Sequence, residues 1–339
     1  PFALRPTIPL SRSGLWEDVL AEHARDPFHY LVGVGDQLYC DDVWSQVPEL
    51  AAWIKMKVER RLDAPLAKST RAGVADFYFR RYLSAFATGE RFARALKLMP
   101  TMMVLGEESR SLPREGNDHD LFDGAGSYPD ELRLSPVMNG VAQIGYNFYL
   151  LFQLHTNPEL SRSHGFFGGP GAHNFLAQLT PEVAVLGMDG RRERTLDRVA
   201  SRESYDAMFR ALESRVPPTN RHLLALLGVP ILYPRLTIAE GLLQSLDSAN
   251  RASNGLLYRS GLFGSLMGSL GAQPELLDDL GGGLTGEGDV RVCTSSFPRL
   301  FAPADHWTTL RHSREREAFI KSLQNYAAAY STRVTFVSG

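Results

Sequence analysis

Cysteine is scarce in this chain of 339 residues, which contains only Cys40 and Cys293. Two isolated cysteines cannot form a disulfide framework or a zinc cluster, so a reducing compartment is the default expectation. An excess of basic residues is also lacking, because 36 lysines and arginines are balanced by 38 aspartates and glutamates. Without a basic run the chain has no electrostatic footprint for nucleic acid.

Long apolar runs are absent as well. The sequence contains no stretch of about 18 apolar residues, so no transmembrane helix is expected. The first residues lack a signal-peptide layout, and the chain begins with Pro1 instead of methionine, which indicates a processed or excised piece. We expect a cytoplasmic protein, for which peripheral association with a membrane stays open.

The composition that is present suits a packed globular protein, with 44% apolar, 10% aromatic and 22% charged residues. Five short apolar segments have the pattern of strands, at residues 28–34, 99–105, 182–188, 222–231 and 333–337. Helical spacing occurs at residues 14–26, 73–98, 139–155, 202–215 and 314–330, and residues 49–66 form an amphipathic segment. Strands that alternate with helices favour an α/β fold. The aromatic residues of segment 73–98 are interpreted as core packing.

Asp36 follows the first predicted strand directly. Gly33 and Gly35 permit a sharp turn that presents its carboxylate at the carboxyl end of the strand. Open α/β sheets keep their chemistry at that edge, which makes Asp36 a candidate active-site residue. The alternative is structural, because aspartate also caps turns and helices.

Asn117, Asp118, His119 and Asp120 form the densest group of metal-competent side chains, in the loop after the second predicted strand. Hard oxygen and imidazole ligands from several segments are what a divalent metal pair needs. Two metals about 3.5 to 4 Å apart can activate water and hold both oxygens of a phosphoryl displacement. Ligand type alone does not distinguish iron, manganese, zinc, magnesium and calcium.

Two arginines beyond the third predicted strand, Arg191 and Arg194, could neutralise a phosphate. The alternative is a charged, solvated face. The isolated His155, His173 and His222 are assigned to local hydrogen bonds. A reactive thiol at Cys40 is set aside, because its acidic neighbours at positions 41 and 42 would raise the pKa of a thiol.

Five segments resemble the PhoD-like metallophosphatases, particularly the fungal cytoplasmic-type branch. They are residues 35–39 (Gly-Asp-Gln-Leu-Tyr), 117–129 (Asn-Asp-His-Asp-Leu-Phe-Asp-Gly-Ala-Gly-Ser-Tyr-Pro), 189–195 (Asp-Gly-Arg-Arg-Glu-Arg-Thr), 226–235 (Leu-Leu-Gly-Val-Pro-Ile-Leu-Tyr-Pro-Arg) and 305–308 (Asp-His-Trp-Thr). The resemblance spans nearly the whole chain. It implies one domain over residues 1–339 with a calcineurin-like metallophosphoesterase fold, an αββα sandwich of two central mixed sheets flanked by helices.

The resemblance also implies a chemistry, the hydrolysis of phosphate monoesters or diesters by a divalent or mixed-valence metal pair. The implied substrate is a small phosphate ester or a phospholipid-type molecule. Asp36 would bridge the metals, Asp118 would bind the second metal, and Asn117 and Asp120 complete the expected ligand group. His119 would stabilise the transition state or protonate the leaving oxygen. Arg191 and Arg194 would lie near the phosphate or in a structural network of ion pairs.

The chain departs from the family pattern in four places. Residues 106–116 and 281–304 resemble insertions, and Gly116-Asn117 stands where the family has Trp-Asp. The strand with the first family ligand and the turn with the last histidine ligand are not evident, so an incomplete metal site is expected. The competing reading is a catalytically degenerate binding or scaffold protein with the same fold.

Overall fold

The computed structural model describes residues 14–35, 37–40, 42–88, 90–106, 135–194, 198–232, 307 and 312–338. The helices are α1 (Gly14–Arg25), α2 (Val43–Gln46), α3 (Pro48–Ile54), α4 (Val58–Asp63), α5 (Lys68–Tyr82), a π-helical turn (Leu83–Thr88), α6 (Phe92–Leu98), α7 (Pro136–Phe152), α8 (Arg202–Arg215) and α9 (Ser313–Ala329). The strands are β1 (Leu31–Gly33), β2 (Thr101–Met103), β3 (Phe175–Thr180), β4 (Val183–Met188), β5 (His222–Leu227) and β6 (Arg333–Ser338). The architecture is therefore mixed α/β, as predicted.

The described strands form two sheets. Strands β1 and β2 pair in parallel, with Leu31 opposite Thr101. The second sheet has the order β3-β4-β5-β6, in which β3 is antiparallel to β4 and the other pairs are parallel. All five predicted strands are present; β1, β2, β4 and β5 are shorter than predicted, and β6 extends one residue further.

Strand β3 was not predicted. Its sequence, Phe-Leu-Ala-Gln-Leu-Thr, has no β-branched residue before Thr180, and it lies at the edge of the sheet with mostly half-buried side chains. It is joined to β4 by a tight turn in which Glu182 N donates to Thr180 Oγ1 at 3.2 Å. Pairing with β4 determines this strand more than its own residues do.

Alternate side chains of β4 belong to different hydrophobic clusters. Val185 packs with Leu226 of β5 and with Val104, which follows β2, so this cluster joins the two sheets. On the opposite face of β4, Ala184, Leu186 and Met188 belong to a cluster that includes residues of α8 and α9. Residues of α5 and α7 pack in a third cluster with Met103 of β2. The period-2 alternation of the strand thus buries both faces of the second sheet.

Most aromatic residues of the predicted 73–98 segment are core residues, as interpreted, and Phe79 is the exposed exception. Phe77, Tyr78, Tyr82 and Phe86 are buried in one cluster, and Tyr82 stacks on Phe152 of α7 at 4.9 Å between ring centroids. The amphipathic segment 49–66 is interrupted, because α3 ends at Ile54 and α4 at Asp63. Ala64 is extended at the end of α4, as expected for a residue that precedes proline.

Strand ends from the two sheets approach each other closely at positions occupied by glycine, which has no side chain. Gly35 has φ +129°, and a Cβ there would lie 2.5 Å from Gly106 Cα, just beyond β2. A Cβ on Gly228, which follows β5, would overlap the carbonyl oxygen of Leu105. The carboxyl ends of β1, β2 and β5 are therefore in backbone contact, which only glycine permits at these positions.

Within the part of the chain that the structure describes, no helix combines the length and hydropathy that a bilayer crossing requires. The most apolar helix, α7, has 17 residues.

The contact at Gly228 generates a stability prediction. Gly228→Ala is expected to lower the free energy of unfolding by about 2 kcal/mol or more, because the new methyl group would overlap the backbone of Leu105. Gly190→Ala is the matched control, since a Cβ there would have its nearest neighbour at 4.0 Å, Val199 Cγ1. Urea unfolding followed by circular dichroism measures both, and equal stability of the two variants would contradict the close contact.

Candidate functional site

The ends of four strands lie at one edge of the molecule. Strands β4 and β5 are parallel, so their carboxyl ends share an edge of the second sheet. Leu105 contacts Gly228 after β5, and it also packs in a cluster with Tyr146 of α7. Tyr146 in turn contacts Asp189, the first residue after β4. The segments that follow β1, β2, β4 and β5 therefore begin next to one another.

Asp189 is the hydrogen-bonding centre of this edge. Its Oδ2 accepts from Tyr146 Oη at 2.6 Å and from the backbone N–H of His173 at 3.1 Å. Its Oδ1 accepts from the backbone N–H groups of Arg191 at 3.3 Å and Arg192 at 3.0 Å. The side chain is 4% exposed. Four donors occupy the lone pairs of this carboxylate, which compensates for its removal from water.

Tyr146 connects Asp189 to the imidazole of His173, with 2.7 Å between Tyr146 Oη and His173 Nδ1. Tyr146 Oη also lies 3.3 Å from the carbonyl oxygen of Gly171, and the shorter contact, 2.6 Å to the carboxylate of Asp189, is the one to which its single hydroxyl hydrogen is donated. Burial raises the pKa of Tyr146 well above its ordinary value, and the negative charge of Asp189 adds to this shift. Burial also lowers the pKa of His173 below its ordinary value of 6.5. At neutral pH both side chains are uncharged.

A positively charged arginine packs against Tyr146 of this pair. The guanidinium of Arg192 lies over the ring of Tyr146, 5.3 Å from its centroid, and its Nη2 donates to Gln143 Oε1 at 3.2 Å. The second arginine is Arg162, whose Nη2 donates to the carbonyl of Gly169 at 3.0 Å. The edge thus combines one buried carboxylate, one neutral imidazole and two arginines.

Arg191 and Arg194 are both fully buried, so they do not belong to a solvated face. The backbone N–H of Arg194 donates to the carbonyl of Arg191 at 3.3 Å, and Arg194 Nη1 lies 3.5 Å from the carbonyl oxygen of Gly190. These contacts fix a compact turn directly after β4. Whether either guanidinium meets a phosphate stays a prediction.

Two carboxylates hold residues 199–201, beyond this turn, through hydrogen bonds to the backbone. Glu193 Oε2 accepts from Ser204 Oγ at 2.5 Å and from the backbone N–H of Ser201 at 3.2 Å. Glu315 of α9 accepts from the backbone N–H groups of Val199 and Ala200 and from Tyr205 Oη at 2.7 Å. Burial, with Glu315 beside it, raises the pKa of Tyr205 well above its ordinary value. These contacts join helices α8 and α9 to the turn at residues 191–194, directly after β4.

The other predicted site residues, Asp36, Asn117, Asp118, His119 and Asp120, lie outside the described residues. Next to position 36, Gln37 Nε2 donates to the carbonyl of Val104 at 3.3 Å. Cys40 is buried, which agrees with setting its thiol aside. Trp307 of the last motif is buried and stacks on Phe319 at 5.7 Å, so it has a packing role.

Comparison with known families gives a match over residues 10–339 to the family described as PhoD related phosphatase. The chain belongs to this family. A curated relative from Saccharomyces cerevisiae (strain ATCC 204508 / S288c), called uncharacterized protein YGR266W, is 29% identical over 360 aligned residues. The match covers 100% of this chain and 48% of the yeast protein, so the chain spans about half the length of that relative. No solved structure matches the chain.

The resemblance recognised in the sequence is therefore confirmed at the level of the family. Among the residues with described positions, no three His, Cys, Asp or Glu side chains are grouped so that they could hold a metal ion. Asp189 is saturated by four donors and is not available as a ligand.

Sequence reasoning missed the Tyr146, His173 and Asp189 group in this PhoD related phosphatase. Asp189 was noticed only as the first residue of the 189–195 motif, and His173 was assigned to local hydrogen bonds, whereas its side-chain partner Tyr146 is 27 residues away. One signal was available, because Asp189 follows a strand and precedes a glycine, much as Asp36 follows a strand and a glycine. The pairing of Tyr146 with His173 leaves no local sequence pattern.

The saturation of Asp189 predicts a large stability effect. Asp189→Asn should lower the free energy of unfolding by about 2 to 3 kcal/mol, because the amide nitrogen would be placed against groups that themselves donate. Asp206→Asn is the control, since this exposed carboxylate forms only a 3.8 Å pair with Arg202 and should change stability by less than about 0.5 kcal/mol. Urea titration of both variants measures the difference, and an Asp189→Asn variant as stable as the control would show that the network is not needed.

Proposed function

We propose that the protein is a metal-dependent phosphoric ester hydrolase, a phosphatase or phosphodiesterase that acts with a pair of divalent or mixed-valence metals. The observation that supports this most directly is the meeting of strand ends at Gly35, Gly106 and Gly228 in a member of the PhoD related phosphatases. The segments that follow β1 and β2 contain all the expected ligands. Both segments begin at neighbouring strand ends, as a site assembled from both would require.

The proposal includes the finer fold. We propose an αββα sandwich, in which α5 and α7 cover the β1–β2 sheet and α8 and α9 cover the four-stranded sheet. The cluster of Val104, Val185 and Leu226 between the sheets and the helix clusters on their outer faces support this arrangement. Of the described strands, β1 and β2 are parallel, so only the four-stranded sheet is mixed.

The expected ligands suit hard divalent cations, because Asp36, Asn117, Asp118 and Asp120 all offer oxygen atoms. In this proposal Asp36 would be shared by the two metals, and Asp118 would bind the second metal. A bound pair would supply the charge that acidifies water and neutralises phosphate oxygens. His119 protonates the leaving oxygen or stabilises the transition state. Arg191 and Arg194 neutralise the phosphate or hold the turn after β4, and their complete burial supports the second role at least as well.

The proposed substrate is a small phosphate ester or a phospholipid-type molecule. The near balance of charge, 36 basic against 38 acidic residues, gives no support to a nucleic-acid partner. A cytoplasmic location with peripheral membrane association remains part of the proposal. Because the chain spans about half of its yeast relative, these statements concern the whole protein from which the chain comes.

Substitution of two proposed site residues tests the function. In the full-length protein, Asp36→Asn and His119→Ala should each reduce hydrolysis of an aryl phosphate by about 100-fold or more, because one removes a metal ligand and the other a proton donor. Chelation should abolish the activity, and addition of divalent cations should restore it.

The exposed Asp26 and His155 provide the controls, as Asp26→Asn and His155→Ala, which should retain full activity. Circular dichroism confirms that each variant is folded. Undiminished hydrolysis in both site variants would refute the assignment. A full-length protein that hydrolyses no phosphate ester with any of the five cations would favour the alternative, a scaffold or binding protein with this fold.

A further inference from the structure

We propose that the outer edge of strand β6 is an interaction surface, which pairs in the full-length protein with a further β-strand supplied by the same polypeptide outside this chain. The inference concerns how the four-stranded sheet is completed. It does not depend on the proposed phosphoesterase function.

Strand β6 is regular along its whole length. Its residues, Arg333–Ser338, pair in parallel with β5, from His222 opposite Arg333 to Leu227 opposite Ser338, without a shift of register. In the order β3-β4-β5-β6 it is the last strand, and no other strand of the described part of the chain pairs with it. One side of β6 therefore has no backbone partner among the described residues.

The direction of the backbone groups identifies the residues that face this outer edge. The backbone N–H of Arg333 donates to the carbonyl of Arg221 at 2.8 Å, so the polar backbone groups of Arg333 point toward β5. Successive residues of a strand turn their N–H and C=O groups to opposite sides. The residues whose N–H and C=O groups point away from β5 are therefore Val334, Phe336 and Ser338.

Both faces of β6 carry apolar side chains that are only half-buried. Val334 and Phe336 pack against the cluster that includes residues of α8 and α9, and Val337 packs on the opposite face against the cluster between the two sheets. On the neighbouring strand β5, the side chains in the same two clusters are fully buried at Leu223 and Leu226. A further strand beside β6 would cover its side chains on both faces, as the side chains of β5 are covered.

The opposite edge of the sheet, at β3, has features that discourage pairing. The register of β3 with β4 shifts between Gln178 and Thr180, and the Gln178 side chain donates to the carbonyl of Thr180 at 2.6 Å. Just before β3, the backbones of Asn174 and Phe167 pair with each other. Bulges and covered backbone groups protect the edges of natural sheets. Strand β6 has no register shift and no proline, and its only charged residue is Arg333 at its first position.

The occupant that fits this edge is a strand of the same polypeptide. The alignment covers all of this chain but 48% of the yeast relative, so that relative has about as many residues outside the aligned region as within it. A covalently joined strand pairs at a high effective concentration, whereas a separate chain loses translational and rotational freedom on association. A regular, apolar edge left open would also promote aggregation, which an intramolecular strand prevents.

Completion of the sheet would extend the edge of the molecule that carries the Asp189 network. Strands β4, β5 and β6 are parallel, so Ser338 lies at the same end of the sheet as Leu227 and Met188, the residue before Asp189. A strand that pairs with β6 has one of its ends at this edge, whichever direction it runs. The added strand would therefore place further residues beside the candidate site.

Amide hydrogen exchange of the full-length protein, resolved to single residues, tests the pairing without any substitution. The amides of Thr335 and Val337 face β5, so they are internal controls that should be protected in either case. If the edge is paired, the amides of Val334 and Phe336 should be protected to within about tenfold of these controls. Exchange of Val334 and Phe336 at the rates of unstructured amides, with the controls protected, would overturn the proposal.

Sedimentation of the same sample identifies the source of the added strand. A monomer in which the Val334 and Phe336 amides are protected supports a strand from the same polypeptide. Protection that develops only at concentrations where the protein dimerises would assign the edge to a second copy and would overturn the proposal. Protection of the same amides in a folded, monomeric 339-residue chain would place the strand within this chain, which would equally overturn it.

A proline substitution tests the edge by a second route. Ser338→Pro removes an outward N–H but no buried side chain, since Ser338 is exposed, and the preceding Val337 is extended, as a residue before proline should be. Proline is tolerated on an edge strand where its N–H would face solvent. Ser338→Pro should therefore lower the urea midpoint of the full-length protein, by about 0.3 M, only if the edge is paired.

Thr335→Pro is the reference for this measurement. It removes an N–H that faces β5, so it should lower the midpoint whether or not the outer edge of β6 is paired. A Ser338→Pro protein that unfolds at the unsubstituted midpoint, while Thr335→Pro unfolds earlier, would contradict the pairing.

Discussion

The buried carboxylate of Asp189 is the interaction on which this edge of the molecule depends. Its donors come from three places in the sequence: α7 supplies Tyr146, the loop before β3 supplies His173, and the turn after β4 supplies two backbone N–H groups. An ionised carboxylate is stable in a protein interior only when such donors surround it. The need to satisfy one charge therefore sets the relative positions of a helix, a loop and a turn.

Close backbone contact is the second constraint. Gly35, Gly106 and Gly228 let the ends of β1, β2 and β5 approach to distances that a side chain would prevent. The valine and leucine side chains between the sheets hold the strands together behind this point. A carboxylate network after β4 and glycine contacts after β1, β2 and β5 thus lie at the same edge of the fold.

Much of the fold was predictable, because strands and helices that bury a face carry their period in the sequence. The helix at residues 202–215 was predicted with the bounds that the structure shows, and all five predicted strands are present. Edge strand β3 was not, since it depends on pairing with β4. The site was less predictable for a similar reason. Tyr146 and His173 are 27 residues apart and Glu315 is 116 residues from Val199, so no local pattern reports these contacts.

Asp36 and Asp189 show why the sequence alone could not assign roles at this edge. Both follow a strand, both adjoin a glycine, and by pattern either could be a metal ligand or a structural cap. For Asp189 the structure decides, because its two oxygens already accept four hydrogen bonds and a cation would have to displace them. The four donors therefore assign Asp189 the structural role, and the two aspartates are distinguished by their hydrogen-bond partners and not by their sequence pattern.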